Sequence, residues 1–281
     1  MDVGKIDAIV LAGGLGRRFR EKGGGDKLFF NVDGKPAIVR VVENLERSFS
    51  RVIVTTKQNR LKELQALIGT KESVMIVADQ MEEYTPVAGM IAGAREARSD
   101  LVFITSVDSP FIEGDLPAAL IELSGNCCEA VIPIWPNGRI EPLLSIYSRR
   151  SLLDAEKAIG LKPVRATDPA RLSTSIAMIP IGMLLESGVR LRELANINEP
   201  SDLERPSTIP LPYDEYGLTR IHYGNKHHYM EGIRSLENGD LASASLSFSE
   251  EAVFLFKHRP SALSLHALLD SLFFLWLLSK S

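Results

Sequence analysis

The chain has 281 residues, of which 45% are hydrophobic and 24% are charged, a composition typical of soluble globular proteins with a large core. Its formal net charge of -4 gives no general attraction to nucleic acid, so we expect no nucleic-acid partner. The two cysteines, Cys127 and Cys128, are adjacent, which excludes a zinc site built from them alone and fits a reducing compartment. The first residues lack the pattern of a signal peptide, so we expect a cytoplasmic protein without a membrane segment.

Apolar runs alternate with segments of helical periodicity through the first half of the chain. The predicted strands cover residues 6–12, 52–55, 74–78, 101–107, 130–134 and 143–147. One predicted helix begins near Pro36, and three others cover residues 61–68, 86–97 and 116–123. This alternation predicts an α/β fold with a doubly wound, mostly parallel sheet.

Four residues stand at the ends of the first four predicted strands: Leu11, Thr55, Asp79 and Asp108. In doubly wound sheets, ligands bind beyond the carboxyl ends of the strands. We therefore expect these four residues to face one crevice.

A glycine pair, Gly13 and Gly14, follows the first predicted strand, and the basic residues Arg17, Arg18 and Lys27 come after it. Glycine lets backbone N–H groups approach an anion closely, and basic side chains neutralise phosphate charge. A glycine pair alone is more often an ordinary tight turn. The pattern as a whole favours a phosphate-binding loop.

Asp108 closes the fourth predicted strand opposite this loop. A carboxylate in that place suits Mg²⁺ bound to nucleotide phosphates, although a cap for the next turn explains Asp108 equally well on its own. Asp79 has the same placement, where it would accept a hydrogen bond from a base or ribose, or cap its loop. All five histidines lie in the last quarter of the chain, and no nucleophile motif occurs. The crevice is therefore predicted to position phosphates for transfer rather than to form a covalent intermediate.

Several short motifs then occur in a fixed order. They are Leu11-Ala12-Gly13-Gly14, Arg18-Phe19, Asp26-Lys27, Asn31 to Pro36, Pro86 to Met90, Asp108 to Phe111, Glu141 to Leu143, and Asn196 to Leu203. In this order, over roughly residues 5–204, the chain resembles the molybdenum cofactor guanylyltransferases, a family of nucleotidyltransferases with a Rossmann-like sheet.

The resemblance implies that GTP reacts with molybdopterin-bound molybdenum to give the guanine dinucleotide cofactor and pyrophosphate. It implies three catalytic residues: Arg18 for the leaving pyrophosphate, Lys27 for the nucleotide phosphates, and Asp108 for Mg²⁺, the one cofactor. The other implied binding residues are Leu11, Ala12, Gly13 and Gly14 through their backbone, Thr55 and Asp79 near base and ribose, and Asn196, Asn198 and loop 136–141 toward the pterin. The attacking phosphate is already anionic, so no strong general base is required.

The sequence departs from the family at three places. The loop after Phe19 is longer, and we expect residues 20–25 to be mobile until nucleotide binds. Thr55 stands where guanylyl enzymes often have Asn, and Glu141 stands where some members have His. Two alternatives therefore stay open: a transferase of the same fold acting on a cobamide precursor, a sugar phosphate or, with CTP, molybdopterin, and a non-catalytic nucleotide-binding adaptor.

The last part of the chain has a different pattern. We predict a nucleotidyltransferase domain at 1–205, a proline-rich linker at 206–223, and a small all-α module at 224–281 that resembles a single tetratricopeptide-like hairpin. The apolar segment 268–278 is too short to span a bilayer, so we expect a buried helix or a subunit contact. The module is predicted to bind a protein partner or a second copy of the chain.

Overall fold

The computed structural model describes residues 3–14, 19, 21, 26–81, 85–125, 128–199, 201–202, 217–224 and 227–280. The strands in these ranges are β1 (Asp7–Leu11), β2 (Asn31–Val32), β3 (Lys35–Pro36), β4 (Val52–Lys57), β5 (Val74–Asp79), β6 (Leu101–Ser106), β7 (Ala130–Ile134), β8 (Ser145–Ser148), β9 (Ser175–Pro180) and β10 (Thr219–His222). The α-helices are α1 (Ala37–Glu46), α2 (Leu61–Ile68), α3 (Pro86–Glu96), α4 (Asp115–Ser124), α5 (Arg149–Asp154), α6 (Asp168–Leu172), α7 (Ile181–Glu186), α8 (His228–Glu237), α9 (Leu241–His258) and α10 (Ala262–Leu278).

Eight strands form one mixed sheet in the order β10-β9-β7-β8-β6-β1-β4-β5. The neighbours β6, β1, β4 and β5 are all parallel, and β7 is parallel to β9. Only β8 and β10 run against their neighbours within the described sheet. The prediction of an α/β fold with a mostly parallel sheet is therefore confirmed, and β8 is the antiparallel strand that joins its two halves.

Helix α3 lies unusually close to β1 because it carries glycine where it crosses the strand. A Cβ on Gly93 would come within 2.6 Å of Ile9 Cγ2, and one on Gly89 would lie 3.0 Å from Thr55 Oγ1. The glycines thus let the helix pack directly on the sheet. This close approach also brings the N-terminus of α3 to the carboxyl ends of β1 and β4.

The sheet separates two hydrophobic cores. Along β1, Ala8 and Val10 face a core with α1, α2, α4 and α7, whereas Ile9 and Leu11 face the other side. On that second side the core also contains α3, α5 and the C-terminal helices, for example through Tyr229 of α8 and Phe248 of α9. The predicted C-terminal helices are thus confirmed, and they cover one face of the sheet.

The segment predicted as a linker contains part of the sheet. Its last residues form β10, which pairs antiparallel with β9, while residues 203–216 lie outside the described ranges. The division into domains at 1–205 and 224–281 stays a prediction. None of the helices in the described parts of the chain combines the length and hydropathy needed to cross a bilayer.

A buried group of ion pairs joins α6 to the C-terminal helices. Arg171 is fully buried, and its guanidinium contacts Glu251 of α9 at 2.7 Å, Asp270 of α10 at 2.7 Å and Asp168 at 3.1 Å. Lys162 adds contacts to Asp168 at 2.8 Å and to Asp270 at 3.0 Å. Burial by itself raises the pKa of the Asp270 carboxyl. The positive charges of Arg171 and Lys162 outweigh the effect of burial and lower that pKa to about 2. Asp270 therefore holds its negative charge at neutral pH.

Candidate active site

A cleft of about 430 Å³ opens at the carboxyl ends of β1, β4, β5 and β6. It is lined by Leu11, Gly13, Gly14, Asp26, Lys27, Leu28, Thr55, Thr56, Lys57, Asp79, Thr85, Pro86, Gly89, Ser106, Val107, Asp108 and Leu143. The four residues predicted at strand ends thus lie around one cleft. Parallel strands bring them together because their carboxyl ends meet at the same edge of the sheet.

The glycine pair forms one wall of the cleft. Neither Gly13 nor Gly14 has a positive φ, and no described atom beyond its chain neighbours lies within 4 Å of a Cβ built on Gly14. Among the described residues, no hydrogen-bond partner is found for the N–H group of either glycine. The N–H of Ala12, by contrast, donates to the Thr55 carbonyl at 2.8 Å. Both glycines line the cleft, so N–H groups without a described partner lie at its wall.

Lys27 and Asp108 form an ion pair across the cleft, with Lys27 Nζ 2.9 Å from Asp108 Oδ1. The Asp108 side chain is 35% exposed, whereas that of Lys27 is 12% exposed. The Asp108 backbone is held on both sides, because its N–H donates to Ser106 Oγ and its carbonyl accepts from the N–H of Ile197. The carboxylate is thus fixed in position while its oxygen atoms stay accessible.

Thr55 lines the floor of the cleft below α3. Its side-chain Oγ1 is buried and has no hydrogen-bond partner among the described residues. Buried hydroxyl groups without a partner are uncommon in native proteins because they forfeit hydration. A hydrogen-bonding group of a ligand in the cleft would satisfy this hydroxyl.

Asp79 is buried at the far side of the cleft and is held by two contacts. Lys57 Nζ lies 2.8 Å from Asp79 Oδ2, and the N–H of Met81 donates to Asp79 Oδ1 at 2.9 Å. The sequence analysis missed Lys57 because it ended the second strand at Thr55. In the structure β4 continues to Lys57, which lies opposite Asp79 in the sheet register.

A second network extends from Asp108 toward loop 136–141. Ser109 Oγ donates to Asn196 Oδ1 at 2.7 Å, and Asn196 Nδ2 donates to Glu141 Oε2 at 3.4 Å. Trp135 Nε1 also donates to Glu141, at 2.7 Å. Burial raises the pKa of the Glu141 carboxyl, although Arg139 opposes this effect. The structure thus connects Asn196 and Glu141, which the sequence analysis placed on the acceptor side, to the loop that contains Asp108.

The structure does not bring every predicted residue into these networks. Asn198 is exposed, and its backbone N–H donates to Asp202 Oδ2 at 2.7 Å. Arg18 lies outside the described residues, as do 20 and 22–25, for which we expected mobility. The roles of Asn198 and Arg18, and the mobility of this loop, stay predictions.

Comparison with known proteins gives one consistent result. Residues 8–169 match the family described as the MobA-like NTP transferase domain. A probable molybdenum cofactor guanylyltransferase of Methanosarcina mazei is 32% identical over 201 residues, covering 70% of this chain and 88% of that protein. The corresponding protein of Methanosarcina acetivorans is 31% identical over the same length, with the same coverage.

A solved structure shares the fold. The crystal structure of molybdopterin-guanine dinucleotide biosynthesis protein A from Archaeoglobus fulgidus matches with a TM-score of 0.58 at 24% identity, over 71% of this chain and 96% of that one. The family match ends at residue 169, so β9, β10 and the C-terminal helices lie beyond it. Since the family match spans more than half of the chain, the chain belongs to the MobA-like NTP transferase family and is a nucleotidyltransferase.

Proposed function

We propose that the protein transfers GMP from GTP to the phosphate of molybdopterin-bound molybdenum and releases pyrophosphate, in the presence of Mg²⁺. The observation that supports this most directly is the ion pair between Lys27 and Asp108 beside Gly13 and Gly14, whose N–H groups have no partner among the described residues. This arrangement offers a cation, a carboxylate and backbone donors to a polyphosphate within one cleft. Guanine and molybdopterin enter the proposal because the relatives are named molybdenum cofactor guanylyltransferases.

The charges of the cleft suit a magnesium nucleotide. With no nucleotide present, Lys27 and Asp108 neutralise each other at 2.9 Å. Phosphate oxygens would draw the Lys27 ammonium toward themselves and free the accessible Asp108 carboxylate, an oxygen donor of the kind that Mg²⁺ takes together with phosphates. Bound there, the ion would neutralise the charge that builds up on the phosphates during transfer.

The nucleoside would lie between the floor of the cleft and β5. Thr55 Oγ1 would gain the hydrogen bond that it lacks, and Asp79 would accept a hydrogen bond from the base or ribose. Lys57 would orient the Asp79 carboxylate through their 2.8 Å contact. Lys57 is a positioning residue in this proposal.

The acceptor would approach from the side of Asn196 and loop 136–141. Its terminal phosphate is anionic at neutral pH, so the protein needs only to orient it in line with the bond that breaks. Ser109 and Asn196 connect this side to Asp108, and Arg139 brings a positive charge to the same loop. Arg18 would neutralise the leaving pyrophosphate.

Pyrophosphate release tests the proposal directly. We expect release with GTP and molybdopterin, and little with CTP or UTP or without molybdopterin. Release with CTP instead would assign a cytidylyltransferase, and release only with another phosphorylated acceptor would overturn the molybdopterin assignment. No release with any nucleotide and acceptor would contradict the proposed transfer.

The metal assignment rests on Asp108. We expect Asp108→Ala to lower the rate of pyrophosphate release by at least ~10²-fold while the thermal midpoint stays close to that of the unchanged protein, since Mg²⁺ would lose its protein ligand. Asp115→Ala, which removes an exposed carboxylate on α4, serves as the matched control. Magnesium-dependent release at the normal rate in Asp108→Ala would contradict the assignment.

A further inference from the structure

The C-terminal hairpin, defined as α9 and α10, displays a large apolar surface. The large hydrophobic side chains exposed on it are Leu246, Val253, Phe256, Leu265, Leu268, Leu269, Leu272, Leu275 and Trp276, which are 41–62% exposed. Elsewhere in the described residues, only Phe29 and Met75 are large, hydrophobic and exposed. Exposed apolar residues are usually scattered singly over a monomer, so this concentration marks a contact surface.

The exposed residues follow the helical repeat and therefore form stripes. On α10 they begin at Leu265 and recur every three or four residues as far as Trp276. The opposite side of α10 is buried through Leu263, Ala267 and Phe274. The hydrogen bond from Ser245 Oγ to the Ser271 carbonyl holds α9 and α10 side by side. The stripe on α10 and the exposed residues on α9 thus lie on the side of the hairpin that faces away from the sheet.

The size of this surface matches one half of a stable interface. The nine side chains are 41–62% exposed, and at roughly 150 Å² each when fully exposed they present on the order of 700 Å². A standard protein–protein interface buries about 800 Å² on each partner. The hairpin alone therefore supplies the area that a specific dimer requires.

We propose that this surface binds the same surface of a second copy of the chain in a twofold dimer. In such an interface each residue faces the symmetric patch, so a charged residue within it would approach its own copy. The exposed positions of α10 from Leu265 to Trp276 carry no charged side chain, and two hairpins packed face to face would form a four-helix layer. An acidic or basic partner would instead require complementary charges, and the stripe offers none. None of the nine residues lines the cleft, so loss of the dimer leaves each active site intact.

The test compares the full chain with variants in the stripe. We expect light scattering after size exclusion to give twice the chain mass of 30.9 kDa down to concentrations of about 1 μM. Leu272→Glu and the double variant Leu265→Glu/Leu272→Glu should weaken the dimer by at least ~100-fold and run at the mass of one chain. Gln65→Glu places the same charge on an exposed position of α2, outside the hairpin, and should stay dimeric. All three variants should keep the circular dichroism spectrum and the pyrophosphate release of the unchanged protein.

Three results would overturn the proposal. The first is the mass of a single chain for the unchanged protein at concentrations up to about 100 μM. The second is a dimer that the glutamate variants do not weaken, because the contact would then lie on another surface. The third is a monomer that binds phosphatidylcholine–phosphatidylglycerol vesicles through the stripe, with binding lost in Leu272→Glu, which would assign the surface to lipid.

Discussion

At the scale of single residues, the glycines differ in what requires them. Gly93 is required by the protein itself, because a Cβ there would lie 2.6 Å from Ile9 Cγ2. Gly14 has neither a positive φ nor a described neighbour within 4 Å of its Cβ position outside its chain neighbours. Gly14 lines the cleft, and its N–H group has no described partner. The reason for glycine at position 14 therefore lies in what the cleft binds.

This difference gives a prediction for Gly14→Ala. We expect the KM for the nucleotide to rise by about tenfold or more, because a methyl group would occupy the space beside the phosphates. The free energy of unfolding should change by about 0.5 kcal/mol or less, since nothing in the fold meets the added methyl group. Steady-state pyrophosphate release and urea unfolding measure the two quantities.

Gly93→Ala is the matched control for this substitution. It adds the same methyl group on α3, and the contact with Ile9 should cost about 1–3 kcal/mol of stability. An unchanged nucleotide KM in Gly14→Ala would show that phosphate does not approach this glycine.

Individual site residues also show which parts of the cleft could be predicted from the sequence. Lys27 and Asp108 were predicted to act together, because each follows a recognisable local signal: a glycine loop and a strand end. Lys57 was missed, because only the actual length of β4 places it opposite Asp79. The link from Ser109 to Asn196 joins residues 87 positions apart, so no local pattern encodes it. Residues on both sides of the cleft were thus predicted from the sequence, but the contacts that hold their side chains in place were not.

At the scale of secondary structure elements, the contact between α6 and the C-terminal helices depends on Arg171. Its guanidinium donates to both Glu251 carboxylate oxygens, at 2.9 and 2.7 Å, and to Asp270 at 2.7 Å. The rings of Tyr229 and Phe248 lie 4.4 and 5.8 Å from it. Although burial disfavours the charged form, the three neighbouring carboxylates raise the pKa of Arg171 above its ordinary value. One side chain therefore contacts acidic residues of three helices.

We expect Arg171→Met to lower the free energy of unfolding by about 3–5 kcal/mol, because it leaves Glu251 and Asp270 buried with too little positive charge. Methionine approximately preserves the apolar volume, so the effect reports the charge. Urea unfolding followed by circular dichroism measures the change.

Arg150→Met is the control for this prediction. Arg150 is 83% exposed and lies 3.7 Å from Asp154, and an exposed pair of this kind contributes about 0–1 kcal/mol. Equal losses in the two variants would contradict a special role for the buried group.

Some strands are likewise predictable from their local sequence pattern, whereas others depend on pairing with a distant segment of the chain. Strands β1, β4, β5, β6 and β7 were predicted close to their observed bounds, since each is a compact apolar run between turn residues. β9 and β10 were not predicted. β10 has only four residues and a mixed pattern, and it exists through its pairing with β9, more than 40 residues earlier in the chain. Whether such a segment forms a strand depends on its pairing with a distant segment, and the periodicity of the sequence alone does not reveal that pairing.

At the scale of the whole molecule, the C-terminal helices touch both the sheet and the acceptor side of the cleft. The N-terminus of α10 contacts loop 136–141, because the N–H of Ala262 donates to the Gly138 carbonyl at 2.9 Å. A Cβ on Gly138 would lie 3.0 Å from the Pro260 carbonyl oxygen. The same loop leads to Glu141, which Asn196 connects to Ser109. The helices therefore support the loop on which the proposed acceptor would bind, in addition to covering the core.

This arrangement predicts what happens when the chain ends at residue 223. The truncated chain would expose the core residues that Tyr229, Phe248, Leu263 and Phe274 cover, each of which contributes about 1.5–3 kcal/mol when buried. Their sum is comparable to the whole stability of an ordinary domain, about 5–15 kcal/mol. Arg171 would also lose Glu251 and Asp270. We therefore expect residues 1–223 alone to show no cooperative urea transition and no pyrophosphate release.

Supplying residues 224–281 as a separate chain during expression controls for damage caused by the cut itself. If the helices act by covering the core, the second chain should restore a cooperative transition, because the buried contacts require proximity rather than covalent continuity. A chain of residues 1–223 that unfolds cooperatively and releases pyrophosphate at the full rate would contradict this argument. It would show instead that the predicted boundary separates two independent domains, with the C-terminal helices free to serve only as a contact surface.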